Sequence, residues 1–351
     1  VKILIVKTSA IGDVIHTLPA LHALRYRYPD ARIDWLVEEA AADIVKGHPA
    51  LDRVLVSGRK RWIADWRAGR RRQAIRAFRR FVGELRRTTY DLLIDFQGLL
   101  KSGIFVTLAR AHRKVGFGRG MEHAEMSYLF LNERIPAVSM DMHAVDRELH
   151  LLAAIGVECP QVRFDLPVTD AHRAVAARLL GEEGIGDEHP LVAINPMTTW
   201  PTKHWRSERF AQVADRLMTA GLAVVFTGGP DDRLAVDRIC ATMQNKPVNL
   251  AGRTSLLELA ALYERCRLLL TTDTGPMHVA AAVGTPVVAL FGPTAPWRTG
   301  PYGKAHRVVR RDMECSPCFK KRCPREDGVC MTALAVETVE RSVLDSLEQN
   351  R

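Results

Sequence analysis

The stretch TTDTGPMHVAAAVGTPVVALFGPT, residues 271–294, constrains the fold more than any other part of the chain. An apolar run at 268–270 reads as a buried strand leading into it. Asp273, Thr274 and Gly275 form the tip of a polar turn, and Pro276 sits where a helix can start without losing a needed N–H. That helix, residues 277–283, stops at Gly284, and a second apolar strand over 286–291 ends in Gly292-Pro293-Thr294. The result is a strand–turn–helix–strand unit whose first turn offers N–H groups at a helix N-terminus. Such a turn suits an anion.

The same alternation runs through the chain. Strands are expected at 2–7, 32–37, 54–57 and 92–96, with helices at 15–28, 102–110 and 143–155. A stretch rich in Gly and Pro over 165–190 reads as a connector carrying one helix, 170–180. The pattern then restarts with a strand at 191–195, a helix at 207–220, a strand at 222–227 and a helix at 256–265. An amphipathic segment at 336–347 reads as a terminal helix. Repeated alternation implies an α/β chain with parallel sheets covered by helices. Two doubly wound halves place ligands beyond the carboxyl ends of the strands.

With 351 residues and 47% hydrophobic content, the chain can form two ordinary domains with ample core. No apolar run reaches the roughly 18–20 residues of a membrane span, and the N-terminus does not read as a signal peptide. Seven Cys without a disulfide-scaffold pattern fit a reducing, cytoplasmic address. The net charge of +10 is uneven: residues 59–87 hold twelve Lys or Arg against Asp65 and Glu84 alone. A charge run is usually a solvated face, but this imbalance points to an anionic partner such as a phosphorylated glycan or an acidic membrane surface. Trp62, Trp66 and Phe78 lie among these charges, either as interface anchors or as the core face of a helix. No nucleic-acid module accompanies the charge, so a nucleic-acid partner is not expected.

The first strand runs into Thr8-Ser9-Ala10-Ile11-Gly12-Asp13. The glycine fingerprint of a dinucleotide site is absent there, which argues against a nicotinamide oxidoreductase. Asp13, beside Lys7 and His16, could take a proton from an acceptor hydroxyl or simply cap a helix. Thr198, Thr199 and Lys203 follow a strand and suit a diphosphate. Gly229 lies in a turn that lets a ligand approach the backbone. Asp273 suits a sugar hydroxyl better than a phosphate, and His278 could donate to a phosphate or pack. Cys315, Cys318, Cys323 and Cys330 form C-x₂-C-x₄-C-x₆-C, which could hold a structural zinc or iron–sulfur cluster or be a reduced loop. No D-x-D triplet is present to bind a metal–nucleotide sugar.

Together these pieces resemble the ADP-heptose:lipopolysaccharide heptosyltransferase family, glycosyltransferase family 9. The resemblance is carried by IVKTSAIGDVIHTLPAL (5–21), DWLVEE (34–39), YDLLIDFQGLLKSG (90–103), TTWPTKHW (198–205) and residues 271–294. It implies two Rossmann-like domains in the GT-B arrangement with a deep interdomain cleft. These would be an acceptor domain at 1–168, a connector at 169–189 and an ADP-heptose domain at 190–335, with the helix 336–351 packing back on the first domain. It implies inverting transfer of L-glycero-D-manno-heptose from ADP-heptose, with no cofactor required for catalysis. Asp13 matches the family's base. Thr198, Thr199, Lys203, Gly229, Asp273, Thr274, Gly275 and His278 match its donor side, with Lys203 also stabilising the leaving diphosphate. Lys7, Ser9, Gly12, His16, Arg59, Lys60, Arg61, Gln97 and Lys101 fall on the acceptor side. An Arg that the family carries there is His123 here, or is displaced to Arg119.

The first-domain motifs look most like heptosyltransferase I, acting on the Kdo of Kdo2-lipid A. The cysteine segment looks more like heptosyltransferase II, whose acceptor is the heptosylated inner core. Either enzyme would work peripherally, on the anionic cytoplasmic face of the inner membrane.

Overall fold

A computed structural model describes residues 1–121, 125–186 and 188–350. His123 therefore lies outside the described residues. The chain divides into two compact units, residues 1–167 and residues from 168 onward.

The first unit holds six parallel strands: β1 (Lys2–Val6), β2 (Arg32–Glu38), β3 (Arg53–Ser57), β4 (Thr89–Asp95), β5 (Arg110–Phe117) and β6 (Glu133–Ile135). Their order is β3-β2-β1-β4-β5-β6. β1 can be apolar throughout because helices cover both faces of such a sheet, and Ile3, Leu4, Ile5 and Val6 are fully buried. Each contributes about 1.5–3 kcal/mol by burial. The chain leaves β1 toward β2 and β3, then returns to β4 on the other side. Val6 and Asp95 end up paired at the carboxyl ends of β1 and β4, flanking the point where strand order reverses.

The second unit repeats this plan with β7 (Leu191–Asn195), β8 (Ala223–Phe226), β9 (Val248–Asn249), β10 (Leu268–Thr272), β11 (Val287–Phe291) and β12 (Arg307–Arg310). The order β12-β11-β10-β7-β8-β9 puts Asn195 beside Thr271 at its own reversal point.

One expectation needs correction, and two segments gain detail. The helix expected over 15–28 is two, Ile11–His16 and Leu18–Arg27, interrupted at Thr17 ahead of Pro19. The connector is partly structural: helix Asp170–Glu182 buries Leu179 and Leu180, and Arg173 donates to Glu264 of helix Leu256–Arg265 at 2.7 Å. Helix Val336–Gln349 packs within the second unit. Val336, Val339 and Val343 enter the second unit's core with Val288 and Leu290, and Arg216 pairs with Glu337 and Glu340.

Candidate functional site

At the first reversal point, β1 delivers Lys7, Thr8 and Ser9 to the edge of the sheet, and the helix Ile11–His16 starts at once. Asp13 is not the N-cap expected as its alternative role: Ala10 takes that position, and Asp13, at the third helical position, uses Oδ2 to accept the Ala10 N–H at 2.8 Å. Asp13 is half-buried, so its carboxylate keeps access to solvent. Gln97 crosses from the end of β4, and its Oε1 accepts Thr8 N, Thr8 Oγ1 and Ser9 N at 2.8–2.9 Å. Lys101 donates to Ser9 Oγ. Gly12 and His16 are buried, and the His16 ring meets His143 edge-on at 5.2 Å.

Lys7 does not reach solvent. Its ammonium donates to Glu148 Oε1 at 2.7 Å and to Phe96 O at 3.0 Å, and both side chains are buried. Burial works to lower Lys7, but Glu148 and then Asp13 outweigh it and hold the ammonium above its usual pKa. Burial also raises the Glu148 carboxyl, more than Lys7 lowers it. Asp95 is buried beside them and raised to about 6 by that burial, although Gly98 N–H, Ser102 Oγ and Gln97 N–H all donate to it. Gly98 adopts φ +65°, which lets its N–H turn back to Asp95.

The basic residues ring this pocket. Arg59 pairs with Glu38 at 2.8 Å, and Glu38 N in turn donates to Thr8 O. Arg61 pairs with Glu39 at 3.1 Å, and Lys60 is exposed. Burial lowers the Lys101 ammonium, against the pull of Glu38. The expected acceptor residues thus gather at the carboxyl edge of β1, β2 and β4. Lys7 and the Gln97 carbonyl are spent on internal bonds and hold the floor of the pocket. Sequence reading missed Glu148, which is distant in the chain and carries no motif, and Asp95, which stands in the motif 90–103 but reads there as part of a strand end.

At the second reversal point the chemistry is different. Lys203 pairs with Asp273 Oδ2 at 2.6 Å, and Thr294 Oγ1 donates to the same oxygen at 2.6 Å. Thr274, next to Asp273 in the chain, is the N-cap of helix Gly275–Ala282 in extended backbone, and His278 lies buried one turn in. Thr198 and Thr199 follow β7 at the surface edge. Behind them runs an uncharged network: Asn195 Nδ2 to Thr227 Oγ1 at 3.2 Å, and Thr227 Oγ1 to Tyr263 Oη at 2.9 Å. The Gly229 N–H is taken by Asp232 at 2.8 Å. Trp200 carries Lys203 over its ring at 4.6 Å and Lys321 at 5.3 Å. Sequence reading missed Thr294 and Trp200 as site residues, although both stand in the quoted motifs.

The cysteine segment lies against this site. Among the described residues, no three His, Cys, Asp or Glu side chains converge to hold a metal, so Cys315, Cys318, Cys323 and Cys330 do not assemble the ligand set their spacing suggests. The loop is instead tied to the donor turns. Cys318 N and Phe319 N donate to Pro293 O at 3.0 and 2.8 Å, Ser316 Oγ donates to Gly292 O at 2.5 Å, and Thr202 Oγ1 donates to Lys320 O at 2.8 Å. A Cβ on Gly292 would lie 2.7 Å from Met331 Sδ and 2.9 Å from Cys330 Sγ, so a larger residue here would force those side chains to shift.

The family model described as Glycosyltransferase family 9 (heptosyltransferase) matches residues 78–328. Lipopolysaccharide heptosyltransferase 1 of Pseudomonas aeruginosa is 34% identical, over 96% of this chain and 96% of that protein. Lipopolysaccharide heptosyltransferase 1 of Salmonella typhimurium is 32% identical, over 90% and 94%. Among solved structures, a family 9 glycosyl transferase from Veillonella parvula superposes with TM-score 0.85 at 26% identity, covering 99% of this chain and 97% of that one. Escherichia coli heptosyltransferase WaaC with ADP gives 0.77 at 27%, covering all of both chains.

Proposed function

Because this chain belongs to glycosyltransferase family 9, we propose that it transfers a heptose from ADP-heptose to the Kdo of the lipopolysaccharide inner core, with inversion and without a catalytic metal. The observation that carries the donor half is the Lys203–Asp273–Thr294 cluster at a helix N-terminus. A solved relative, Escherichia coli WaaC with ADP-2-deoxy-2-fluoro heptose, supports the same donor class.

The chemistry follows from the contacts. With no donor bound, Asp273 neutralises Lys203. A diphosphate competes for that ammonium, and Asp273 is then released to accept a heptose hydroxyl while Thr294 holds its carboxylate. As the anomeric C–O bond breaks, Lys203 and the helix N–H groups meet the charge growing on ADP. Thr198 and Thr199 add hydroxyls to the phosphates. Asp13 takes the proton from the attacking acceptor hydroxyl. The Lys7–Glu148 pair fixes the strand end that carries Asp13. Arg59, Lys60, Arg61 and Lys101 hold the acceptor's carboxylates and phosphates. The acceptor is lipid-linked, so the enzyme works as a peripheral protein on an anionic membrane face.

Heptose transfer from ADP-heptose is measured to Kdo2-lipid A and to its monoheptosylated product, with and without EDTA. Turnover on Kdo2-lipid A that survives EDTA is expected. Transfer only to the heptosylated acceptor would move the assignment to the second heptose, and loss of turnover in EDTA would end the metal-free mechanism.

A further inference from the structure

Two helices of the first unit, Arg59–Arg67 and Arg71–Leu85, pack on each other and cover one side of its sheet. Their inner faces are settled. Trp62, Phe81 and Leu85 join the core with Leu4, Val6 and Leu93, and Phe78 stacks on Trp62 at 5.6 Å. Their outer faces are unusual in two respects. Lys60, Arg67, Arg72, Arg76, Arg79 and Arg80 are exposed, as are Arg86 and Arg87 just beyond. Among the described residues none of these eight has an ion pair, whereas their neighbours Arg53, Arg59, Arg61 and Arg70 all have carboxylate partners. Large apolar side chains also stand out among the cations: Ile63 at 40% exposure, Trp66 at 50% and Ile75 at 45%. The Arg71 guanidinium lies over the Trp66 ring at 5.4 Å.

We propose that this outer face is the docking surface for an anionic lipid bilayer, distinct from the acceptor-binding cations Arg59, Lys60 and Arg61, of which only Lys60 borders it. Unpaired cations on a folded surface repel one another and are retained where a counter-charge is met. A polyanionic strand would satisfy the arginines but would gain nothing from Ile63 and Ile75. A bilayer satisfies both, with headgroup phosphates meeting the cations and Trp66 and the isoleucines entering the interface. The helix Arg71–Leu85, 15 residues and so about 22 Å long, offers its charges along a line that can lie flat on a membrane. Among the described residues no helix is long and apolar enough to cross one, so the contact is interfacial. The proposal rests on the reading above only in taking the acceptor to be lipid-linked.

The intact protein is sedimented with vesicles of phosphatidylglycerol and phosphatidylethanolamine, and with vesicles of phosphatidylcholine alone. Binding to the anionic vesicles is expected, weakening as salt is raised. The variant R72Q/R76Q/R79Q/R80Q should lose about tenfold or more in partition. The variant I63S/W66S should lose several-fold and become more salt-sensitive. Both should keep ADP affinity and turnover on a soluble, short-chain acceptor. Equal binding to phosphatidylcholine, or unchanged partition in the charge variant, would overturn the proposal. So would an RNA oligonucleotide that outcompetes the vesicles for this face. Vesicle binding without any heptose turnover would uphold the docking surface and sink only the enzymatic reading.

Discussion

The two units share one topology yet hold opposite chemistry at the same topological point. At the end of β1 and β4, one ammonium, Lys7, is surrounded by carboxylates: Glu148 in contact, Asp13 and Asp95 close by. At the end of β7 and β10, the buried layer is uncharged, Asn195, Thr227 and Tyr263, and the one ion pair, Lys203 with Asp273, sits at a helix N-terminus. The repeated fold supplies a place for a ligand, and the residues after each strand decide which ligand. Buried carboxylates beside a half-buried Asp13 suit proton transfer, while a helix N-terminus over a neutral floor suits an anion.

The largest test of this contrast removes the carboxylate proposed as the base. Asp13→Asn keeps the bond from Ala10 N–H and the helix start, so the fold should hold. Turnover should fall about 10²–10⁴-fold with ADP affinity unchanged by calorimetry; near-normal turnover would take proton transfer away from the first unit. Next in size is Glu148→Gln, which leaves the Lys7 ammonium buried without its counter-charge. Breaking one partner of a buried pair costs about 3–5 kcal/mol, read by urea unfolding. A loss under about 1 kcal/mol would mean that the pair is dispensable to the pocket floor.

Asp95 sharpens the comparison through pH. Burial lifts its carboxyl from 3.8 to about 6, so the folded chain binds this proton more tightly than the unfolded chain. Its contribution is intact below about pH 4 and is lost as pH rises through about 6. Asp95→Asn cannot ionise. Relative to the parent, its stability should improve by about 3 kcal/mol between about pH 4 and pH 7, measured by hydrogen exchange of β1 and β4 amides. A pH-independent difference would show that the hydrogen bonds from Gly98, Ser102 and Gln97 already offset the burial.

How much of this was legible in the sequence depends on distance along the chain. The strand at 268–270, its turn and the strand at 286–291 were readable because buried parallel strands are short unbroken apolar runs. Asp13 and Lys203 were readable because each follows a strand end. Glu148 was not, since a glutamate inside an amphipathic helix looks solvated and its partner Lys7 is 141 residues away. Trp62 and Trp66 share a helix face by spacing, yet the first is core and the second exposed. In the helix's last turn it is Asp65 that is buried, paired with Arg70, while Trp66 faces outward under the Arg71 guanidinium. The cysteine spacing was legible, but its geometry was set by the Ser316 hydroxyl bond to Gly292 O and backbone bonds to Pro293 O, which no spacing reveals.

The smallest effects separate phosphate from sugar within the second unit. Lys203→Ala removes the charge proposed to meet the diphosphate, and a charge-assisted hydrogen bond is worth about 1.5–3 kcal/mol. ADP affinity should therefore weaken about 10–100-fold by calorimetry, and unchanged affinity would detach the diphosphate from this lysine. Thr294→Val is subtler. Valine keeps the shape and loses only the hydroxyl that Asp273 accepts at 2.6 Å, while Lys203 still holds the same carboxylate before the donor arrives. The cost appears once the diphosphate has drawn Lys203 away and Asp273 must face the heptose with one anchor fewer. Donor KM should rise about 3–10-fold, near 1 kcal/mol, with ADP affinity almost unmoved because ADP carries no heptose. If Thr294→Val weakened ADP as much as Lys203→Ala does, Asp273 and Thr294 would belong to the phosphate subsite, and the exchange of partners at Lys203 would not occur.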